Sequence, residues 1–291
     1  MKECFRQKEF GTAALQVVQR ASEICDAYTA QGLRLTVRQL FYQFVGRNWL
    51  ANTDRNYNNL AAVIAEARDG GLIDWDHIED RGRITQERPH FPTLKHFLQE
   101  AAEQFRLDHW ASQKHYVEVQ IEKQALEGVV SEICDRWSVP LTSNKGYSSA
   151  SAMYRRGKII QTKRDVDKKI PHALLLCDHD PSGIDMTRDV RERLARYSDG
   201  YVEVIRLGLN FDQVQRHKLP ENPVKLSDGR AKKYVELYGE SSWELDALDP
   251  MMLVSLVEHG IRRFVDVKVW DESVRREQTG KDSVQTIVED I

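Results

Sequence analysis

The run ALLLCDHDPSG, residues 173–183, passes from Leu174, Leu175, Leu176 and Cys177 directly into Asp178 and Asp180, with Pro181, Ser182 and Gly183 behind them. A continuous apolar run of this kind suits a parallel strand buried on both faces, and Pro-Ser-Gly suits the tight turn that ends it. Two carboxylates held together at such an end repel one another unless a cation lies between them. A third acid, Glu122, closes the alternating segment YVEVQIE that begins at Tyr116. Hard oxygen ligands of this type suit Mg²⁺ or Mn²⁺, and Mg²⁺ keeps part of its water and bridges to phosphates. The three acids, Glu122, Asp178 and Asp180, therefore point to phosphoryl-transfer chemistry. The competing reading of Asp-x-Asp-Pro alone is an ordinary solvated turn, which the same residues form well.

For these acids to meet, two strands must lie parallel with their carboxyl ends on one crevice. The sequence beyond residue 116 alternates in the required way. Val117, Val119 and Ile121 share one face of a strand; Ala125, Leu126, Val129, Val130, Ile133, Cys134 and Trp137 mark a helix; SVPLTS is a short strand; and residues 148–160 are expected to be helical. The strand at 172–177 follows, then a helix with Ser182 as its expected cap, then the strand YVEVIRLGL. Strand-helix alternation at this spacing predicts an α/β domain with a mainly parallel sheet covered on both faces.

Before a boundary near residues 106–116 the pattern is helical. One stripe runs from Ala14 to Tyr28, a second helix starts at Thr36, and a third covers about 56–68 before Gly70 and Gly71. GLIDWDHIEDRGR then reads as a strand, a turn and a wing. Three helices and a strand pair form the pattern of a winged helix, which reads duplex DNA, although small helical domains that bind protein share the periodicity.

The chain has 291 residues, 41% of them hydrophobic and 30% charged, with a net charge of -3. Such a chain buries a sizeable core and is expected to form two domains. The overall charge excludes a uniformly basic protein, yet residues 145–169 carry eight basic side chains against Asp165 and Asp167. That block suits a phosphate backbone, or a solvated surface rich in lysine. Cys4, Cys25, Cys134 and Cys177 include no CxxC pair, so reduced thiols are expected rather than a zinc site or disulfide framework. No stretch has the length of a membrane span and MKECFRQKEF lacks the apolar core of a signal peptide, which makes the cytoplasm the expected address.

Glu122 in IEKQAL, then NKGYSSA from Asn144, then DHDPSG at a strand end resemble the Toprim domain of topoisomerases, primases and related nucleases. The resemblance implies a Rossmann-like Toprim domain in which Glu122, Asp178 and Asp180 hold catalytic Mg²⁺ or Mn²⁺ and Gly183 lets the turn close. Haloacid-dehalogenase-type phosphatases share the Asp-x-Asp spacing, but they favour threonine or valine where this chain has Ser182. Ahead of the Toprim-like region, TVRQLFYQF carries Arg38 and Tyr42 in an Arg-x-x-[Tyr/Phe]-Tyr pattern. This resembles the A subunit of type IIB topoisomerase, topoisomerase VI, and its relative that makes meiotic double-strand breaks, across roughly residues 30–270. Gln39 stands where that family usually has an acid.

The resemblance implies an N-terminal winged-helix (CAP-like) DNA-binding domain over 1–110 with Tyr42 as nucleophile, a Toprim metal-binding domain over 111–270, and a polar tail over 271–291. It further implies a homodimer that cleaves double-stranded DNA through a phosphotyrosyl link. Arg38 would assist the phenol, whose ordinary pKa is about 10, and Lys145, Arg155 and Arg156 would contact the DNA backbone. Full strand passage would require a separate ATPase subunit, since the chain holds no P-loop. Two other readings stand beside this one: a hydrolytic Toprim nuclease, for example in phage defence, in which Tyr42 only packs, and a non-catalytic DNA-binding module.

Overall fold

The computed structural model describes residues 2–78, 90–143 and 148–289. Its first helix, α1 (Thr12–Thr29), buries Val18, Ala21, Ile24, Cys25 and Tyr28, the stripe visible in the sequence. α2 (Val37–Gly46) begins at Thr36, whose hydroxyl accepts the Gln39 N–H at 3.2 Å while the Gln39 side chain accepts the Thr36 N–H at 2.8 Å. This reciprocal cap gives Gln39 a local structural task. α3 (Asp54–Asp69) is capped by Thr53 and packs Leu60, Ile64 and Ala67 into the core shared with α1 and α2.

Three helices of the expected winged helix are thus present, but its strand pair is not found among the described residues. Asp74 accepts the Asp76 N–H and starts a single 3₁₀ turn, Trp75–His77, after which Ile78 makes an isolated bridge to Leu35. The remainder of the expected wing, from Glu79, lies outside the described residues. α4 (Leu94–Gln104) leads on to the second half of the chain.

There the alternation folds as an α/β unit. β1 (His115–Ile121), α5 (Glu127–Arg136), β2 (Leu141–Ser143), α6 (Ala150–Asp165), β3 (Ile170–Leu176), α7 (Pro181–Ser198) and β4 (Glu203–Gly208) follow in order. The sheet runs β2-β1-β3-β4 and every neighbouring pair is parallel. Val117, Val119, Ile121, Leu174 and Leu176 face one side with residues of α5, and Tyr116, Ala173, Leu175 and Cys177 face the other with residues of α6 and α7. Helices on both faces explain why β3 is apolar along its length rather than alternating.

α8 (Phe211–His217), β5 (Asn222–Pro223), α9 (Ala231–Tyr238) and β6 (Ser241–Ser242) form a lobe, with β5 and β6 paired antiparallel. α10 (Pro250–Arg262) returns to the sheet through Leu253, Val257 and Ile261. The segment from Asp271, expected as a polar tail, continues α11 (Val267–Glu289). Two of its polar residues pack against the rest of the chain: buried Glu277 accepts the Leu107 N–H at 2.9 Å, and Ser273 lies 2.8 Å from His109 Nδ1. The N-terminal helices are joined to the later lobe by Tyr28 donating to Asp249, Arg38 to Glu244, and Asn52 to Asn222 at 2.7 Å. These three links fix where Tyr42 sits relative to the sheet.

Candidate active site

β1 and β3 pair with Ile121 opposite Leu176, so Glu122 and the Asp178 turn leave the sheet at one level. The Asp178 N–H donates to Glu122 Oε2 at 2.9 Å, and Asp178 Oδ1 accepts the Leu245 N–H at 2.7 Å. Asp180, rather than the expected Ser182, is the cap of α7: its Oδ1 accepts the Gly183 N–H at 2.6 Å, and Pro181 takes the first helical position. The ring of Pro181 suits that position because its missing N–H would lack an intrahelical partner there. A Cβ on Gly183 would approach the Asp178 carbonyl oxygen to 2.1 Å, so the turn closes only around glycine.

Arg206 of β4 holds this turn from beneath, donating to the carbonyls of Gly183 at 2.7 Å and Cys177 at 3.2 Å, and to that of Asp178. Between the two aspartates, His179 points away and its Nδ1 lies 2.8 Å from the Tyr234 hydroxyl. Burial, with Arg206 nearby, brings its pKa down to about 4, so the ring is neutral near pH 7.

Two of these acids, Asp178 and Glu122, hold their protons more tightly than free carboxylates, chiefly because they are buried. Burial pushes Asp178 up to about 7, with Lys123 opposing the shift and Glu122 adding to it. Glu122 is also raised, first by burial and further by Asp180, against the Asp178 N–H. Their donor chemistry suits a hard divalent ion. Among the described residues, however, no group of three or more carboxylate, imidazole or thiolate side chains is arranged to hold a metal ion as the structure stands.

Lys123, the residue after Glu122, was not singled out by the sequence and proves central. Its Nζ lies 3.0 Å from Asp178 Oδ2, 3.0 Å from Glu244 Oε2 and 2.7 Å from Asp246 Oδ2. Burial opposes the ammonium, yet these three carboxylates hold its pKa well above the ordinary lysine value. Burial would raise Glu244, but Lys123 and Arg38 outweigh it and bring the carboxyl down to about 2. The only sequence signal was the Glu-x-Asp spacing of 244 and 246 in SWELDALDP.

A cleft of about 860 Å³ opens over these groups, lined by Glu122, Lys123, Asp178, Asp180, Glu244 and Asp246. A smaller cavity of about 190 Å³ is lined by Tyr42, Tyr57 and Asn52, and the two share Arg38, Asp54, Asn222, Pro223 and Glu244. Tyr42 is thus brought beside the acids, but it is only 5% exposed, and its hydroxyl pairs with the Asn222 side chain. Burial first and Glu244 second push the phenol up to about 12, against the opposing pull of Arg38. Arg38 donates to Glu244 through Nε at 3.1 Å, and its guanidinium lies 5.9 Å from the Tyr42 ring centroid. The expected activation of the phenol by Arg38 is therefore outweighed in this arrangement.

Of the expected backbone contacts, Arg155 is exposed on α6 and Lys145 lies outside the described residues. Arg156, the third, is only partly exposed. Its guanidinium pairs with Glu118, whose side chain is fully buried on β1, and lies 3.4 Å from the Tyr116 hydroxyl. An internal carboxylate needs such a partner, which removes Arg156 from the exposed basic surface. Lys169 of the same block is also internal, donating to the carbonyls of Ala111 at 3.0 Å and Gln113 at 2.8 Å.

No family model matches the chain, and no curated protein or solved structure is detectably similar to it.

Proposed function

We propose that this chain cleaves double-stranded DNA by divalent-metal-dependent phosphoryl transfer, in the manner of the topoisomerase VI A subunit, with Tyr42 as the attacking group. The observation that carries the reading is the shared wall: the helix bearing Tyr42 and the strand ends bearing Glu122, Asp178 and Asp180 border adjoining cavities through Arg38, Asn222 and Glu244. Glu122, Asp178 and Asp180 would hold Mg²⁺ or Mn²⁺, and the bound ion supplies charge neutralisation at the scissile phosphate. Tyr42 Oη gives up its proton to water and forms a bond to phosphorus, the bond to the 3′ oxygen breaks, and that oxygen takes a proton from water to leave a free 3′-hydroxyl and a 5′-phosphotyrosine. Separating Arg38 from Glu244 would favour the step twice over. It removes the carboxylate that raises the phenol and leaves a guanidinium free to stabilise charge at the phosphate. In this proposal the protein acts as a homodimer that makes paired cuts, with a separate ATPase subunit required for strand passage.

A hydrolytic nuclease is the second reading, favoured by the burial of Tyr42 and its pKa of about 12. Water would then be the nucleophile at the same acids, and Tyr42 would pack. Incubating supercoiled DNA with the protein and Mg²⁺ or Mn²⁺, followed by denaturing gel analysis with and without protease, separates the readings. Protein-linked 5′ ends support the tyrosine mechanism, free ends support hydrolysis, and uncut DNA that is nevertheless bound leaves a DNA-binding module.

A further inference from the structure

The ammonium of Lys123 lies among carboxylate oxygens as a bound cation would. Three carboxylate oxygens from two separate segments, Asp178 after β3 and Glu244 and Asp246 after β6, meet at its nitrogen at 2.7–3.0 Å. A lysine ammonium has three donors and no acceptor, so this triad uses its full capacity. The Asp246 side chain is fully buried, and its second oxygen, Oδ1, has no hydrogen-bond partner among the described residues. An acid so placed needs a cation close by, since its burial as a charge is otherwise very costly. Glu122 and Asp180 are not among the oxygens that Lys123 engages.

We infer that Lys123 is a tethered cation filling a second ion position formed by Asp178, Glu244 and Asp246, so that the site takes one divalent ion, on Glu122, Asp178 and Asp180, instead of two. This rests on the metal-dependent reading above, with Asp178 shared between the ion and the ammonium. Lys123 is accordingly a positioning residue: it keeps Asp178 turned toward the acids of the cleft and, through Glu244, is joined to Arg38 and the helix of Tyr42.

Counting bound Mn²⁺ on the full chain by electron paramagnetic resonance, with thermal unfolding alongside, tests the inference without recourse to activity. The parent and Lys123→Arg are expected to bind one Mn²⁺, and Lys123→Ala two. Without metal, Lys123→Ala is expected to melt below the parent and to recover more than the parent does when Mn²⁺ is added. Two ions on the parent, or one on both parent and Lys123→Ala, would overturn the inference while keeping the metal-dependent reading. No ion on the parent but one on Lys123→Ala would support the second position and defeat the Glu122, Asp178 and Asp180 site; no ion on either defeats both. If Lys123→Ala folds only with Mn²⁺ the inference stands, and if it fails to fold in either condition the inference falls, because an ion filling the position must restore the fold.

Discussion

Replacing Glu244 by glutamine tests the ionic connection between the Tyr42 helix and the acid cleft. The carboxylate accepts from Arg38 Nε at 3.1 Å and from Lys123 Nζ at 3.0 Å, and its side chain is only 25% exposed. Its pKa falls from an ordinary 4.5 to about 2 because those two cations outweigh the opposing effect of burial. At about 1.4 kcal/mol for each pH unit, the folded protein gains about 3 kcal/mol from this group. The sign follows from the folded value lying below the unfolded one: the stabilisation is complete above pH 4.5 and is lost as pH falls through about 2. Urea unfolding of the parent and Glu244→Gln should therefore give a difference of about 3 kcal/mol at pH 7 that shrinks to about 1.5 kcal/mol at pH 3. A difference that stays constant across this range, or that is absent at pH 7, would refute the assignment of the gap to an ionised Glu244 between Arg38 and Lys123.

Gly183→Ala should cost about 1–3 kcal/mol in urea unfolding, because the added carbon collides with the Asp178 carbonyl oxygen; unchanged stability would mean that the turn is not closed as described. Arg156→Ala should cost about 3–5 kcal/mol by stranding the buried Glu118 carboxylate. The exposed Arg155→Ala should instead leave stability within about 0.5 kcal/mol and lower the salt slope of DNA binding by about one. Tyr42→Phe should cost about 1 kcal/mol of stability and abolish protein-linked DNA ends, whereas cleavage at the parent rate would return Tyr42 to packing. With the phenol at about 12, ionising it at pH 8 costs about 5 kcal/mol. The yield of linked ends per unit time should accordingly rise with pH between about 7 and 9.

What the sequence determined by itself is local and periodic. The apolar run from Leu174 to Cys177 had to be a strand buried on both faces, and the acids after it and after Ile121 had to emerge at strand ends. The stripes of α1, α2, α3 and α5 likewise follow from which residues recur on one face, and the cap at Thr36 from a side chain acting within one turn. Tertiary structure decided how charges pair, because attraction between ions depends on distance and burial and carries no sequence period. Lys123 meets Asp246 from 123 positions away, and Arg156 meets Glu118 across 38, so neither pairing is visible as spacing. Arg155 and Arg156 are adjacent in a basic run, yet the rotation of about 100° between successive helical residues points the first outward and the second toward a buried carboxylate. Tyr42 and Arg38 were legible as a pair on α2, but only the docking of that helix onto the later lobe brought Glu244 between Arg38 and the acids. The phenol's proton is therefore governed by burial and by a carboxylate some two hundred residues downstream, which reach it only once the two halves of the chain have packed.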